Sequence, residues 1–193
     1  GSTYVYERGA GGSWTEVAKL VASDASALDE FGGSVSIHGN RGLVGARLAA
    51  GQSSDSGAAY VFERDASGAW LEVAKLSAGD GASGADFGTA VALFGSRALI
   101  GARWDSQLAT NAGAGYVFQR ENSGAWVEAG KLQASDGGPF NDCGSSVALV
   151  GDRALLGALR DDDLGIESGS AYVFDVGLGE TYCYSTDTSV GAP

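Results

Sequence analysis

The phrase GSTYVYER opens at Gly1 and returns as GAAYVFER at Gly57, GAGYVFQR at Gly113 and GSAYVFDV at Gly169, with a spacing of 56 residues each time. A register that never slips means that one supersecondary unit is stacked on copies of itself, so a single fold must satisfy every copy. The same period carries Trp14, Trp70 and Trp126; Lys19, Lys75 and Lys131; Asp24, Asp80 and Asp136; Gly32, Gly88 and Gly144; and Arg41, Arg97 and Arg153. The units read as 1–56, 57–112 and 113–168, followed by the first strand of a fourth copy over 169–176 and a tail or linker over 177–193.

Within a unit, four short apolar or alternating runs are separated by Gly, Asp, Ser and Asn clusters, which is the pattern of strands and turns. In the second unit and the start of the third they are 89–94 (TAVALF), 97–103 (RALIGAR), 114–120 (AGYVFQR) and 126–132 (WVEAGKL). The first run is bulky at Val91 and Leu93 and thin at Ala90 and Ala92, and Val35 and Ile37 with Ser36, or Val147 and Leu149 with Ala148, repeat that contrast. A strand apolar on both faces is buried on both, and the thin face lets a neighbouring sheet come close. The Trp-led run instead interleaves Glu72 and Lys75 with Val73, which predicts an exposed outer strand charged against edge pairing. Four strands per unit, repeated in tandem, predict an all-β chain of propeller blades, each a four-stranded antiparallel sheet.

Charge and composition narrow the function. With 12 Lys and Arg against 24 Asp and Glu, the net charge of -12 repels nucleic acid and anionic membranes. No apolar run approaches the roughly 18 to 20 residues that span a bilayer, so no membrane insertion is expected. The absence of Met marks the sequence as a processed piece or a fragment of something longer. The single histidine, His38, aligns with Phe94 and Val150 at the end of an inner strand and has no nucleophile and acid arranged around it in the sequence, so no catalytic residue is assigned.

At Phe31-Gly32 and Phe87-Gly88, followed by Gly45-Ala46-Arg47 and Gly101-Ala102-Arg103, the chain resembles FG-GAP repeats, the blades of the integrin α-subunit head and of many bacterial surface proteins. The resemblance runs from residue 1 to about 177, with Arg47, Arg103 and Leu159 at the family's final Pro and Cys143 in place of the Phe in the third copy. It implies that the Phe-Gly strand is innermost, the Gly-Ala strand second, the Tyr-Val-Phe strand third and the Trp strand outermost. On that order the chain holds strands three and four of one blade, two complete blades and three strands of another. This is an incomplete propeller of about three and a half blades, open to completion by homo-oligomerisation. The resemblance further implies an extracellular or cell-surface module that recognises another protein or assembles with itself, with carbohydrate binding as the alternative.

Integrin-like blades often bind calcium between the first two strands, but that link is only Gly39-Asn40, Gly95-Ser96 or Gly151-Asp152 here, the length of a tight hairpin turn. No cofactor is therefore required. If calcium binds, the acidic cluster Asp161, Asp162 and Asp163 is the place to look. The repeated acids Asp24 with Glu30, Asp80 with Asp86 and Asp136 with Asp142 read as turn formers that bond loop backbone amides. The periodic Trp residues read as outer-strand anchors, with sugar stacking as the alternative. Ligand contacts should break the period, and the residues that do so are Trp104, Gln107, Asn111, Phe140 and Asn141. Cys143 stands either as a buried thiol or as the partner of Cys183 in a disulfide, and residues 181–185 alternate enough to add one strand.

Overall fold

A computed structural model describes residues 1–177. Among them are thirteen strands and no helix: β1 (Thr3–Arg8), β2 (Trp14–Leu20), β3 (Ser34–His38), β4 (Arg41–Ala46), β5 (Ala58–Arg64), β6 (Trp70–Leu76), β7 (Phe87–Phe94), β8 (Arg97–Ala102), β9 (Ala114–Arg120), β10 (Trp126–Leu132), β11 (Cys143–Val150), β12 (Arg153–Ala158) and β13 (Ser170–Asp175). They form four antiparallel sheets in the orders β1-β2, β3-β4-β5-β6, β7-β8-β9-β10 and β11-β12-β13. The two-residue links close hairpins, with His38 opposite Arg41, Phe94 opposite Arg97 and Val150 opposite Arg153. Strands β3, β7 and β11 neighbour one another from sheet to sheet. These four sheets are the blades of an unclosed propeller arc, and the expected strand order holds.

The apolar cores lie between blades. One core joins Leu43, Ala59 and Val61 of the first complete blade to Phe87, Val91, Leu93 and Ile100 of the second. Another joins Leu99 and Val117 of the second blade to Leu156, Tyr172 and Phe174 of the last. Because side chains alternate along a strand, Leu99 and Ile100 of β8 serve opposite neighbours, which is why these strands read as continuous apolar runs.

The thin face does what its small residues suggested. The Ser34 hydroxyl donates to the Gly88 carbonyl at 2.8 Å, and Leu93 N donates to the Ser36 hydroxyl at 3.0 Å, so β3 meets the backbone of the next blade directly. At the ends of the arc, faces that a neighbouring blade covers elsewhere are uncovered. Val35 and Ile37 are 57% and 63% exposed where Val91 and Leu93 are 8% and 5%, and Leu155 is 40% exposed where Leu43 and Leu99 are 0%.

Strands β7 and β11 begin two residues earlier than the alternation predicted their runs to start, or at the corresponding point of the third unit. Phe87 and Cys143 each make a parallel bridge to Gly57 and Gly113 of the preceding blade, and that bridge extends the strand. Each outermost pair carries a register shift, at Val5/Tyr6, Val61/Phe62 and Glu128/Gly130. A bulge at a sheet edge blunts it against adventitious pairing, alongside the charges of that strand. Trp70 and Trp126 pack as partly buried anchors on the inter-blade cores, the role expected of all three periodic Trp residues, whereas Trp14, in the two-stranded first sheet, is 67% exposed.

Candidate functional site

The repeated acids are where sequence reasoning is corrected. Their backbones do turn, with Glu30, Asp86 and Asp142 carbonyls accepting from Gly33, Thr89 and Ser145 N, but most of their side chains reach across the fold to other side chains instead of bonding loop amides. Asp24, in the loop leading into β3, accepts from the Tyr60 hydroxyl at 2.8 Å and from Lys75 Nζ at 2.5 Å. Asp80 accepts from the Tyr116 hydroxyl at 2.7 Å and Lys131 Nζ at 2.8 Å, and the buried Asp105 joins the cluster at 2.8 and 3.0 Å from the same two groups. Asp136 and Asp161 each accept from the Tyr172 hydroxyl at 2.8 Å. The outer strands lend further polar ties, since Glu72 accepts from Ser23 N and Oγ at 2.8 Å and Glu128 from Gly79 N at 2.8 Å. The charges of the outer strand therefore hold the crossover loop in addition to guarding the edge.

A second row runs along the loops entering the inner strands. Arg47 binds both oxygens of Glu30, at 2.7 and 2.9 Å, and reaches Asp86 of the next blade at 3.2 Å. Arg103 bonds the same Asp86 oxygen at 2.9 Å, and Arg160 lies 3.7 Å from Asp142. Glu30, Asp86 and Asp142 all take positive φ, at 56°, 57° and 55°. Asp86 and Asp142 are buried, and each keeps one carboxylate oxygen without a hydrogen-bond partner.

Asp80 of the first row and Asp142 of the second titrate in opposite senses. Burial works against ionisation of Asp80, yet the bonds from Lys131 and Tyr116 hold its carboxyl below the usual range. Burial pushes Asp142 up; Arg160 and Arg103 oppose it, while Asp86 and Glu167 add to it. The stabilisation from Asp80 is therefore present above the unfolded value of about 4 and is lost as pH falls through its lowered folded value. The contribution of Asp142 is complete below about 4 and is lost as pH rises through its raised folded value. Melting temperature measured against pH should show Asp80→Asn destabilised at pH 7 and close to wild type in acid, with Asp142→Asn neutral or stabilised at pH 7. A fall of more than about 3 °C for Asp142→Asn at pH 7, roughly 1 kcal/mol in a domain of this size, would contradict the assignment.

At the hairpin end of the blades, Glu63 binds Arg41 at 2.7 Å and Arg120 of the next blade at 2.9 Å. His38 belongs to this end. Its ring lies 4.9 Å from Phe94 and its Nδ1 accepts from Gly95 N at 3.3 Å, so it is a packing residue between blades.

The aperiodic residues fall on the opposite rim, where the loop between β8 and β9 meets the loop between β10 and β11. Phe140 N donates to Thr110 O at 2.8 Å and Asp142 N to Asn111 O at 3.2 Å, which joins the two loops. Trp104 is 37% exposed with the Arg103 guanidinium 4.5 Å from its ring centroid, and Phe140 is 54% exposed. Gln107 and Asn111 shape the first loop: Gln107 N donates to Asp105 at 3.2 Å, and Asn111 exchanges bonds with the Ser106 hydroxyl at 2.9 and 3.3 Å. Asn141 is turned inward, 8% exposed, and its amide donates to Asp161 at 2.8 Å. On this rim Trp104, Phe140 and Leu159, the last 54% exposed, present apolar surface, and Gln107 is exposed as well, while Asn141 is not.

The acidic loop does not converge on a cation. Asp161 is fully buried and turned onto Tyr172 and Asn141, while its other oxygen accepts from Asp163 N at 3.1 Å. Asp162 accepts from Glu167 N at 2.6 Å, and among the described residues no three acidic, His or Cys side chains stand together as a metal site. Cys143 is fully buried in the Phe position, and burial pushes its thiol up to about 12. Cys183, the strand over 181–185 and hence the disulfide lie outside the described residues.

Four-stranded antiparallel sheets, inner strands side by side and cores between sheets define a β-propeller blade protein. The FG-GAP repeat family model matches residues 14–62, 70–118 and 126–174, and the chain belongs to that family. No curated protein matches it significantly.

Proposed function

We propose that this chain is a non-catalytic, extracellular recognition module that binds a protein, another or a copy of itself, through the rim bearing Trp104 and Phe140. The observation that carries this reading is a division of labour. Most of the repeated polar side chains are engaged in ties within and between blades, whereas the aperiodic aromatics Trp104 and Phe140 stand exposed on one rim, in two loops that are bonded to each other. Exposed aromatic and Arg side chains on a rigid frame are the residue types that dominate protein interfaces. The family supports the reading, since FG-GAP propellers are typically recognition modules of extracellular or surface proteins. Among the described residues no helix is long and apolar enough to cross a membrane. Sugar stacking on Trp104 is the second reading, favoured by its half-open indole beside Arg103.

Light scattering across micromolar concentrations, followed by a glycan panel, compares the chain with Trp104→Ala/Phe140→Ala. Concentration-dependent self-association lost in the double variant, at an unchanged melting temperature, supports protein recognition. Glycan binding lost in the same variant selects the second reading. Association or binding that the double variant retains removes the rim from both.

A further inference from the structure

The hairpin end of the blades carries a cavity of about 380 Å³, a volume that suits a small molecule. Its lining includes His38, Asn40, Arg41, Glu63, Arg64 and Gly95, all from the two complete blades. Three of these positions break the repeat: His38 gives way to Phe94 and Val150, Asn40 to Ser96 and Asp152, and Glu63 to Gln119 and Asp175.

The two junctions differ in how they neutralise an equivalent arginine. Arg41 donates to the carbonyl of Gly95 in the next blade's hairpin at 3.2 Å, and Arg97 donates to Gly151 in the same way at 3.1 Å. Arg97 also binds the carboxylate of Asp152, from that same neighbouring hairpin, while its Nε donates to the neutral Gln119 at 3.2 Å. Beside Arg41 the residue in the place of Asp152 is Ser96, whose hydroxyl accepts from Gln119 at 2.8 Å. The carboxylate bound to Arg41 is Glu63, and the same Glu63 oxygen also holds Arg120, at 2.9 Å. Two guanidiniums on one carboxylate leave a positive charge at the first junction, where the second junction has Asp152.

The other lining groups add donors. His38 Nδ1 accepts from Gly95 N at 3.3 Å, so the neutral ring carries its proton on Nε2. The exposed Asn40 side chain bonds to none of the described residues. Glu63 is the one acid in the lining and is already engaged by two arginines, so the cavity suits an anion and not a cation.

We propose that this cavity binds a small molecule bearing a carboxylate, which takes at Arg41 the part that Asp152 plays at Arg97. The pairing of guanidinium with carboxylate supplies the charge-assisted bonds, and His38 Nε2 and the Asn40 amide donate further ones. The site lies at the opposite end of the blades from Trp104 and Phe140, so its failure leaves the rim reading standing.

Calorimetric titration of the full chain with glucuronate and with N-acetylalanine, each beside its neutral counterpart glucose or N-acetylalanine amide, tests this. Saturable binding of at least one acid and of neither neutral compound is expected, and the acid that binds tells a sugar acid from a peptide-like one. Ser96→Asp supplies from within the chain the carboxylate that the second junction has at that place. It should weaken acid binding about tenfold or more and raise the melting temperature. His38→Phe/Asn40→Ser, which installs the residues of the second copy, should weaken binding as well, whereas Trp104→Ala/Phe140→Ala should leave it unchanged. No saturable binding of either acid, equal binding of acid and neutral compound, or binding that Ser96→Asp leaves intact overturns the proposal.

Discussion

Gly101→Ala is expected to destabilise the chain by about 3 kcal/mol or more, enough to unfold a marginal domain, although it adds a single methyl group. A Cβ on Gly101 would lie 2.0 Å from the carbonyl oxygen of Gly144 and 3.0 Å from its carbonyl carbon. Both belong to the backbone of the next blade's inner strand, so no rotamer change can relieve the overlap. Relief requires the second and last blades to separate, which opens the core holding Leu99, Val117, Leu156 and Phe174. Gly130 is the control. It lies in an outer strand without positive φ, and a Cβ added there would meet no atom within 4 Å, so Gly130→Ala is expected to be neutral or stabilising by about 0.5 kcal/mol. Urea unfolding of both variants decides the matter. Equal midpoints would mean that the blades are not in backbone contact at the Gly101 position.

Phe87→Ala is expected to cost about 4 kcal/mol, the upper range for removing a buried aromatic. Phe87 is 1% exposed and packs edge-on against Tyr116 and Phe118, with centroids 5.4 and 6.1 Å away. It also bridges to Gly57, so the cavity opens where one blade enters the next. Its neighbour Gly88 has φ +91°, and a Cβ there would lie 2.4 Å from the Ala58 carbonyl oxygen, so the Phe-Gly pair is an anchor followed by a close backbone approach. In the third copy Cys143 fills the equivalent position, and Cys143→Ala, which removes one sulfur instead of a ring, should cost much less, about 1 kcal/mol. Chemical unfolding of the two variants side by side tests the pair. Similar losses would show that the anchor's side chain contributes little beyond its backbone bridge.

These expectations share a cause. Blade-to-blade contact, more than packing within any one sheet, holds the chain together, because the apolar cores lie between sheets. A sheet one strand thick has no interior of its own, so each blade becomes stable only against its neighbours. The polar rows follow the same logic, with Arg47 reaching Asp86, Arg120 reaching Glu63 and Ser34 reaching Gly88 across the junction between successive blades. A rim mounted on such an arc is held by contacts between blades, the frame that the proposed recognition surface requires.

The sequence by itself determined the repeat, the strands, their grouping and the thin inner face, because each depends on local alternation and on a period that can be counted along the chain. It also separated Trp104 and Phe140 from the repeated background. Only the tertiary structure decided what the repeated acids do. Asp24 meets Tyr60, Asp80 meets Tyr116 and Asp136 meets Tyr172 at a constant separation of 36 residues, a signal present in the sequence but unreadable without knowing that the strand bearing the tyrosine lies beside the crossover loop. An Asp in a Gly- and Ser-rich loop looks the same whether it bonds its own backbone or a distant phenol. Asn141 escaped for the same reason, since an aperiodic amide is equally compatible with a ligand and with the buried Asp161 it serves. Local pattern settles which residues alternate and where the chain turns; which polar group faces which is settled by blades brought together in space, where burial leaves each carboxylate to find its partner across the junction.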